Sequence, residues 1–126
     1  MTKKVNIGII GAGRIGKLHT ESIKFYIPQA EVKAVADINA DSLGDWAAGL
    51  GILKLTKDYK EILANPEIDA VLICSSTDTH SQITVEAAKA GKHIFCEKPI
   101  DYDLDRISAA LKAVEEAGVK FQVGFN

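Results

Sequence analysis

Residues 11–16, Gly-Ala-Gly-Arg-Ile-Gly, have the types and spacing that hold a phosphate group in nucleotide-binding proteins. Gly11 permits a tight turn, Gly13 lets a pyrophosphate approach the backbone, and Gly16 lets the following helix pack closely on the preceding strand. The free N–H groups and the dipole at the helix start favour negative charge. The motif therefore predicts a dinucleotide site, in which Arg14 either contacts the pyrophosphate or is solvated.

An aspartate stands where a dinucleotide motif needs a carboxylate. Asp37 ends the second apolar run, about twenty residues past Gly16. A carboxylate at this place accepts hydrogen bonds from the adenosine ribose and repels a 2′-phosphate. The residues that follow, Ile38 to Ala40, include no arginine that could receive such a phosphate. The sequence therefore favours NAD over NADP.

Hydroxyl side chains and a histidine follow the fourth apolar run, in the segment Ser-Ser-Thr-Asp-Thr-His at positions 75–80. Small hydroxyl groups let a ribose or nicotinamide lie close, and each offers a donor and an acceptor. Ser75 and Ser76, nearest the strand, are the better cofactor candidates. Asp78 and Thr79 could instead cap the next helix, and His80 could be a structural residue.

Two opposite charges follow the fifth apolar run directly, in Glu97-Lys98-Pro99. At the carboxyl end of an inner strand, Lys98 could donate to a ribose or substrate hydroxyl, and its charge could support deprotonation of an alcohol. The alternative is a solvated charged turn. The proline stiffens the turn, and the sharp exit of the chain predicts a cis Lys98–Pro99 peptide.

These motifs need a parallel sheet to bring them together, and the rest of the sequence predicts one. Short apolar runs alternate with helical patterns throughout, which is typical of βαβ units. In the last helix, Leu104, Ile107, Leu111 and Val114 form an apolar stripe, between an Asp103 N-cap and Gly118. The predicted strands are 5–10, 31–37, 53–56, 70–74, 93–96 and 120–125, and the predicted helices are 15–26, 41–50, 58–63, 79–90 and 103–117.

The length of the chain fits this count of elements. Six strands, five helices and ten connections of ordinary length need about 128 residues, and the chain has 126. We therefore expect one doubly wound α/β domain over residues 1–126, with the strand order 3-2-1-4-5-6. Ligand should bind at the carboxyl ends of the first and fourth strands, where that order reverses.

Composition excludes several other classes of function. Fifteen Lys and Arg against seventeen Asp and Glu give a net charge of -2, which argues against a nucleic-acid partner. No apolar run approaches the roughly 20 residues of a membrane-spanning helix. Cys74 and Cys96 lack metal-ligand spacing, so we expect buried, reduced thiols, no metal site and a cytoplasmic protein.

Four stretches of the sequence, residues 6–16, 36–37, 75–80 and 90–99, resemble the Gfo/Idh/MocA oxidoreductases. Within that family, residues 14–16 with His19, residues 74–77, residues 95–99 and the ending 123–126 are most similar to the inositol 2-dehydrogenase group. The resemblance implies NAD(P)-dependent oxidation of a ring hydroxyl of a polyol or sugar, with Lys98 touching the nicotinamide ribose and the reacting hydroxyl. The cofactor contacts expected on motif and resemblance together are Gly11, Gly13, Arg14, Ile15, Gly16, Asp37, Ile38, Ser75, Ser76, Thr77, His80, Glu97 and Lys98, of which Lys98 is the candidate catalytic residue.

The resemblance also implies a second α+β domain, which carries a histidine general base paired with an aspartate, most of the substrate pocket and the oligomer interface. Nothing in the 126 residues matches that pair. We therefore expect the N-terminal domain of a homo-oligomeric enzyme, a dimer or tetramer, and a chain that binds NAD without oxidising inositol by itself. The alternatives are an NAD-binding regulator, which would not need Lys98, and a methyltransferase with a similar glycine loop.

Overall fold

The computed structural model describes residues 4–124 and contains a six-stranded sheet in the order β3-β2-β1-β4-β5-β6. All five strand pairs are parallel, which confirms the predicted doubly wound topology. The last residues of the predicted sixth strand include Phe125, which lies outside the described residues. The strands are β1 Val5–Ile10, β2 Ala30–Ala36, β3 Lys54–Thr56, β4 Ala70–Ile73, β5 His93–Cys96 and β6 Phe121–Val123.

The largest difference between the observed and the predicted helices concerns the second helix. The predicted helix 41–50 is divided into a 3₁₀ turn, Ala40–Ser42, and a short α-helix that starts at Gly44. Leu43, between the two, is buried in the core, and Gly44 is a poor helix former, so the chain bends there. The α-helices are α1 Arg14–Tyr26, α2 Gly44–Gly49, α3 Tyr59–Ala64, α4 Thr77–Lys89 and α5 Leu104–Ala117.

Two hydrophobic clusters fix the helices on opposite faces of the sheet. One cluster joins Ile9 to side chains of α1 and α2, and the other joins Ile10 and Ile73 to side chains of α3, α4 and α5. Ile9 and Ile10 are adjacent, and they point to opposite faces because side chains alternate along a strand. The inner strands are thus buried on both faces, as their continuous apolar runs predict.

The ends of α5 match the prediction, but half of its predicted apolar stripe is wrong. Asp103 accepts hydrogen bonds from the backbone N–H groups of Asp105 and Arg106, and Gly118 has a φ of +70°. Leu104 and Leu111, however, are 78% and 44% exposed. The buried face is centred on Ala110 and Val114, because the small Ala110 side chain lets the helix backbone approach its neighbours closely.

Candidate functional site

The carboxyl ends of β1 and β4 lie side by side at the centre of the sheet. Ile10 is paired with Ile73, and the Cys74 N–H donates to the Ile10 carbonyl at 2.7 Å. The chain leaves β1 for a helix on one face and leaves β4 for a helix on the other. The two loops therefore diverge at the point where the strand order reverses, which is where a ligand crevice is expected.

The glycine-rich loop fits a bound pyrophosphate. Gly11 has a φ of +94°, and a Cβ there would lie 2.5 Å from the Ser75 backbone nitrogen. A Cβ on Gly16 would lie 1.9 Å from the Gly11 carbonyl oxygen. A Cβ on Gly13 would meet nothing within 4 Å. The outer two glycines are thus required by packing, whereas Gly13 faces open space that a phosphate could approach.

Asp37 lies at the end of β2 and is tied to the glycine-rich loop. Its Oδ2 accepts a hydrogen bond from the Ala12 N–H at 2.6 Å, and its Oδ1 accepts one from the Asn39 N–H at 2.7 Å. Each carboxylate oxygen has a second lone pair, so Asp37 can still accept from ribose hydroxyls. Ile38 beside it is 83% exposed.

The hydroxyl-rich segment forms the start of α4, two residues earlier than predicted. Ser76 is the N-cap residue and Thr77 the first helical one, so neither Asp78 nor Thr79 occupies the N-cap position. The Thr79 hydroxyl donates to the Ser76 carbonyl at 2.6 Å and lies 2.7 Å from the Ser75 hydroxyl. Ser76 is exposed beside the crevice, where its hydroxyl is accessible to a ligand.

His80 is buried beneath the crevice, with 2% of its surface exposed. Its Nδ1 lies 2.8 Å from the Pro99 carbonyl oxygen, and its Nε2 lies 2.8 Å from the Ser75 carbonyl oxygen. Both ring nitrogens are therefore occupied by backbone groups of the loops that follow β4 and β5. This geometry favours the structural alternative for His80 over direct contact with a cofactor.

The turn after β5 presents Lys98 without a paired carboxylate. The Lys98–Pro99 peptide is cis, as predicted. Lys98 is exposed, and within residues 4–124 no ion pair includes it. Glu97 instead contacts His19 of α1, whose Nε2 lies 2.5 Å from Glu97 Oε1. The positive charge of Lys98 is thus left available at the carboxyl edge of the sheet.

Sequence reasoning assigned no role to His19 or Gly124, and both contribute to this turn. The His19 ring also packs edge-on against Phe95, with ring centroids 5.5 Å apart. A Cβ on Gly124 would lie 2.8 Å from Phe95 Cζ and 3.2 Å from Glu97 Oε2. The sequence signals for His19 were its part in the family resemblance and its place one helical turn after Gly16, and neither shows that α1 reaches β5.

The two thiols behave as packing groups. Burial, with a smaller contribution from the Glu97 charge, raises the pKa of Cys74 to about 12. Burial likewise raises the pKa of Cys96 to about 11. Both side chains are free and buried, so they are neutral thiols near neutral pH and poor nucleophiles.

Residues 4–124 contain no group of three or more His, Cys, Asp and Glu side chains arranged to hold a metal ion. Over the same residues, no helix is long and apolar enough to cross a membrane.

Comparison with known proteins identifies the family. The model of an oxidoreductase family with an NAD-binding Rossmann fold matches residues 5–125. The chain belongs to the Gfo/Idh/MocA family. This membership agrees with the glycine-rich loop, the acidic residue after β2 and the sheet order.

Relatives within the Gfo/Idh/MocA family match the chain over nearly its whole length. YrbE, an uncharacterised oxidoreductase of Bacillus subtilis, is 52% identical over 126 residues, which are 100% of this chain and 37% of that protein. Myo-inositol 2-dehydrogenase of Thermotoga maritima is 42% identical over 97% of this chain and 36% of that enzyme.

A solved structure has the same fold. Scyllo-inositol dehydrogenase of Lactobacillus casei, with bound NAD(H) and scyllo-inositol, superposes with a TM-score of 0.91 at 34% identity, over 97% of this chain and 36% of that one. The chain therefore spans little more than a third of the length of the relatives it matches.

Proposed function

We propose that residues 1–126 form the cofactor-binding domain of an NAD-dependent dehydrogenase that oxidises a ring hydroxyl of a cyclic polyol such as inositol. The observation that carries this proposal is the arrangement of three groups at one edge of the sheet. The open face of Gly13, the Asp37 carboxylate and the Lys98 ammonium, which has no ion-pair partner among residues 4–124, all follow strand ends there. The names of the inositol dehydrogenases among the relatives support the choice of substrate class.

Each end of a dinucleotide has a matching group in the crevice. The backbone N–H groups of residues 13–16 would hold the pyrophosphate, with Arg14 exposed beside them. Asp37 would accept from the adenosine ribose, and Ile38 and Ile15 offer exposed apolar surface. Ser75, Ser76 and Thr77 would line the nicotinamide half. When bound, the nicotinamide ring supplies the acceptor for a hydride.

Lys98 would act on the substrate hydroxyl. Its ammonium can donate a hydrogen bond to the hydroxyl oxygen and stabilise the negative charge that develops there when the proton leaves. Because Glu97 is held by His19, the Lys98 charge is not neutralised by its sequence neighbour. The chain offers no paired histidine and aspartate base that matches the family pattern. A missing base alone lowers the rate by a factor of about 10² to 10⁴, so the 126-residue chain should bind NAD without measurable turnover of inositol.

The preference for NAD over NADP rests on Asp37. Its carboxylate is fixed beside the glycine-rich loop by the Ala12 N–H, where it would repel a 2′-phosphate. The experiment is a titration of the chain with NADH and with NADPH, followed by the fluorescence of Trp46 or of the nicotinamide. NADH should bind at least tenfold more tightly, and tighter binding of NADPH would contradict the proposal.

Substitution of Asp37 tests its role directly, and substitution of Asp41 is the matched control. Asp37→Ala should weaken NADH binding about tenfold or more, the effect of losing hydrogen bonds to a charged acceptor, and should narrow the difference between NADH and NADPH. Asp41→Ala, at an exposed aspartate that pairs with Lys57 on the surface, should leave both affinities unchanged. Binding of S-adenosylmethionine in place of NADH would instead support a methyltransferase.

A regulator that senses NAD would bind the cofactor equally well, but it has no need for an unpaired ammonium at the nicotinamide end. The position of Lys98 therefore favours the dehydrogenase. We further propose that the whole enzyme is a cytoplasmic homo-oligomer. The free, buried Cys74 and Cys96 fit a reducing compartment, and the family resemblance supports the oligomer.

A further inference from the structure

The His80 ring joins two loops of the site, and each of its two nitrogens faces a backbone carbonyl oxygen. Nδ1 faces the Pro99 carbonyl oxygen and Nε2 faces the Ser75 carbonyl oxygen, each at 2.8 Å. The ring is 2% exposed, so bulk water is excluded as an alternative partner for most of its surface. Both nitrogens of one buried ring therefore meet groups that can only accept a hydrogen bond.

A neutral imidazole cannot satisfy this arrangement. It has one N–H donor and one bare nitrogen, whereas an imidazolium has two donors. A bare nitrogen 2.8 Å from a carbonyl oxygen would bring two lone pairs together in a buried place, which is unfavourable. Resting on the function proposed above, we propose that His80 is held as an imidazolium and is the positioning residue that fixes the Lys98 turn against the nicotinamide half of the site.

The residue after His80 is hydrogen-bonded to a buried carboxylate, whose negative charge favours an imidazolium. Ser81, the next residue, donates its hydroxyl to Asp101 Oδ2 at 2.6 Å, and both side chains are buried. This hydrogen bond is the main cause that keeps the pKa of Asp101 below its ordinary value, so Asp101 is ionised near neutral pH. The positive end of the α4 dipole acts in the opposite direction. The titratable and charged groups on the adjoining segments, residues 74–79 and 96–106, are Cys74, Asp78, Cys96, Glu97, Lys98, Asp101, Tyr102, Asp103, Asp105 and Arg106.

The position of the His80 ring explains how it would influence cofactor binding through the two loops that it joins. Pro99 directly follows Lys98, and Ser75 directly precedes the exposed Ser76. One side chain thus fixes the backbone of both loops that are proposed to contact the nicotinamide half. Because both nitrogens of His80 are used for this purpose, its contribution is to position Lys98 and Ser76, and it does not touch the reacting atoms.

The protonation state can be measured without any ligand. The 126-residue chain, labelled with ¹⁵N in its three histidines and with ¹³C at its carbonyl carbons, gives ring signals that His→Gln variants at positions 19, 80 and 93 assign. At pH 7 both nitrogens of His80 should show the chemical shifts of protonated nitrogen, with couplings to two carbonyl carbons. A single neutral tautomer at pH 7 overturns the imidazolium.

Positioning is tested by the affinity for NADH. His80→Gln is neutral, and its N–H donors share a single nitrogen, so it cannot reproduce the bridge that two opposite ring nitrogens make; it should raise the Kd for NADH about tenfold. His93→Gln is the matched control, because His93 is exposed at the opposite end of β5, where its Nδ1 accepts from the Lys120 N–H. Equal Kd values for the wild-type chain and a folded His80→Gln variant overturn the positioning role.

The pH dependence distinguishes positioning from a purely structural effect. In the wild-type chain, the Kd for NADH should rise as the pH is raised and His80 loses one donor. This step should persist in His19→Gln and disappear in His80→Gln. If His80→Gln does not fold, the wild-type and His19→Gln profiles still decide the matter, since a wild-type Kd that stays constant while the ¹⁵N signals report deprotonation overturns the proposal. Failure of the wild-type chain to bind NADH or NADPH would instead refute the proposed function, and the ¹⁵N measurement would still decide the protonation state.

Discussion

Gly11, Gly13 and Gly16 belong to one motif, but different physical constraints act on each. Gly11 combines a positive φ with backbone contacts to Ser75, and Gly16 faces the Gly11 carbonyl, whereas Gly13 faces open space. The first and third glycines therefore maintain the fold of the loop. We expect Gly13 to contribute to binding, because a side chain there would occupy the space that a phosphate needs.

A pair of alanine substitutions separates these two roles. Gly16→Ala places a methyl group 1.9 Å from the Gly11 carbonyl oxygen, so the backbone must move, and the free energy of unfolding should fall by about 2 kcal/mol or more. Gly13→Ala should change the free energy of unfolding by less than about 1 kcal/mol and should weaken NADH binding. Urea denaturation and NADH titration of both variants check the prediction. A Gly16→Ala variant as stable as Gly13→Ala would contradict it.

Asp101 makes a contribution to the stability of the chain that is lost at low pH. The Ser81 hydroxyl and the N–H groups of Tyr102 and Asp103 donate to its carboxylate, and its pKa is lowered mainly by the Ser81 hydrogen bond. A carboxyl with a lowered folded-state pKa stabilises the fold above its unfolded pKa of about 3.9, and this contribution is lost as the pH falls through the folded value. Asp101→Asn should therefore lower stability at pH 7 and flatten its decline below pH 4, as measured by thermal unfolding. Asp41→Asn, at the exposed surface, should behave as the wild-type chain does.

At the scale of elements, the periodicity of a helix shows that it has an apolar face but does not fix the centre of that face. In α5, Leu104 and Leu111 lie outside the contact with the core, and Ala110 and Val114 lie inside it. The spacing of apolar residues alone predicted that the larger side chains, Leu104 and Leu111, would lie on the buried face. The packed face is instead set by the close approach that the small Ala110 side chain allows.

The burial of α5 predicts unequal effects for two truncations on the same helix. Val114→Ala removes two methyl groups from a side chain that is 9% exposed, and should lower the free energy of unfolding by about 2 kcal/mol. Leu111→Ala removes more atoms, but from a side chain that is 44% exposed, and should cost less than about 1 kcal/mol. Urea denaturation of the two variants measures the difference, and a larger loss for Leu111→Ala would show that the buried face is wrongly placed.

On the scale of the whole molecule, the sheet brings into one edge groups that are distant in sequence. His19 and Glu97 are 78 positions apart, and Asp37 and Ala12 are 25 apart. The parallel order places the strand exits that carry Ala12, Asp37 and Glu97 at one edge, and α1 brings His19 to the same edge. The cofactor crevice is therefore a property of the topology, and the polar groups in it can change without loss of the core.

The buried interior also predicts the reactivity of the thiols. Because burial raises the pKa of Cys74 to about 12 and that of Cys96 to about 11, neither should react with 5,5′-dithiobis(2-nitrobenzoate) at pH 8 in the folded chain. Both should react rapidly in 6 M guanidinium chloride, which exposes them and restores an ordinary thiol pKa of about 8.5. Rapid reaction of one thiol per folded chain would contradict the burial of that side chain.

Local chemistry in the sequence determined the order of the elements, the strand order of the sheet, the glycine-rich loop, the place of Asp37 and the cis peptide at Lys98. Each of these depends on residues within one element or one turn, or on the chirality of βαβ connections. The tertiary structure alone decided the pairing of His19 with Glu97, the enclosure of His80 between two carbonyl groups and the buried face of α5. These depend on distances between elements, which packing sets after the elements have formed, and no spacing within the sequence encodes such distances directly.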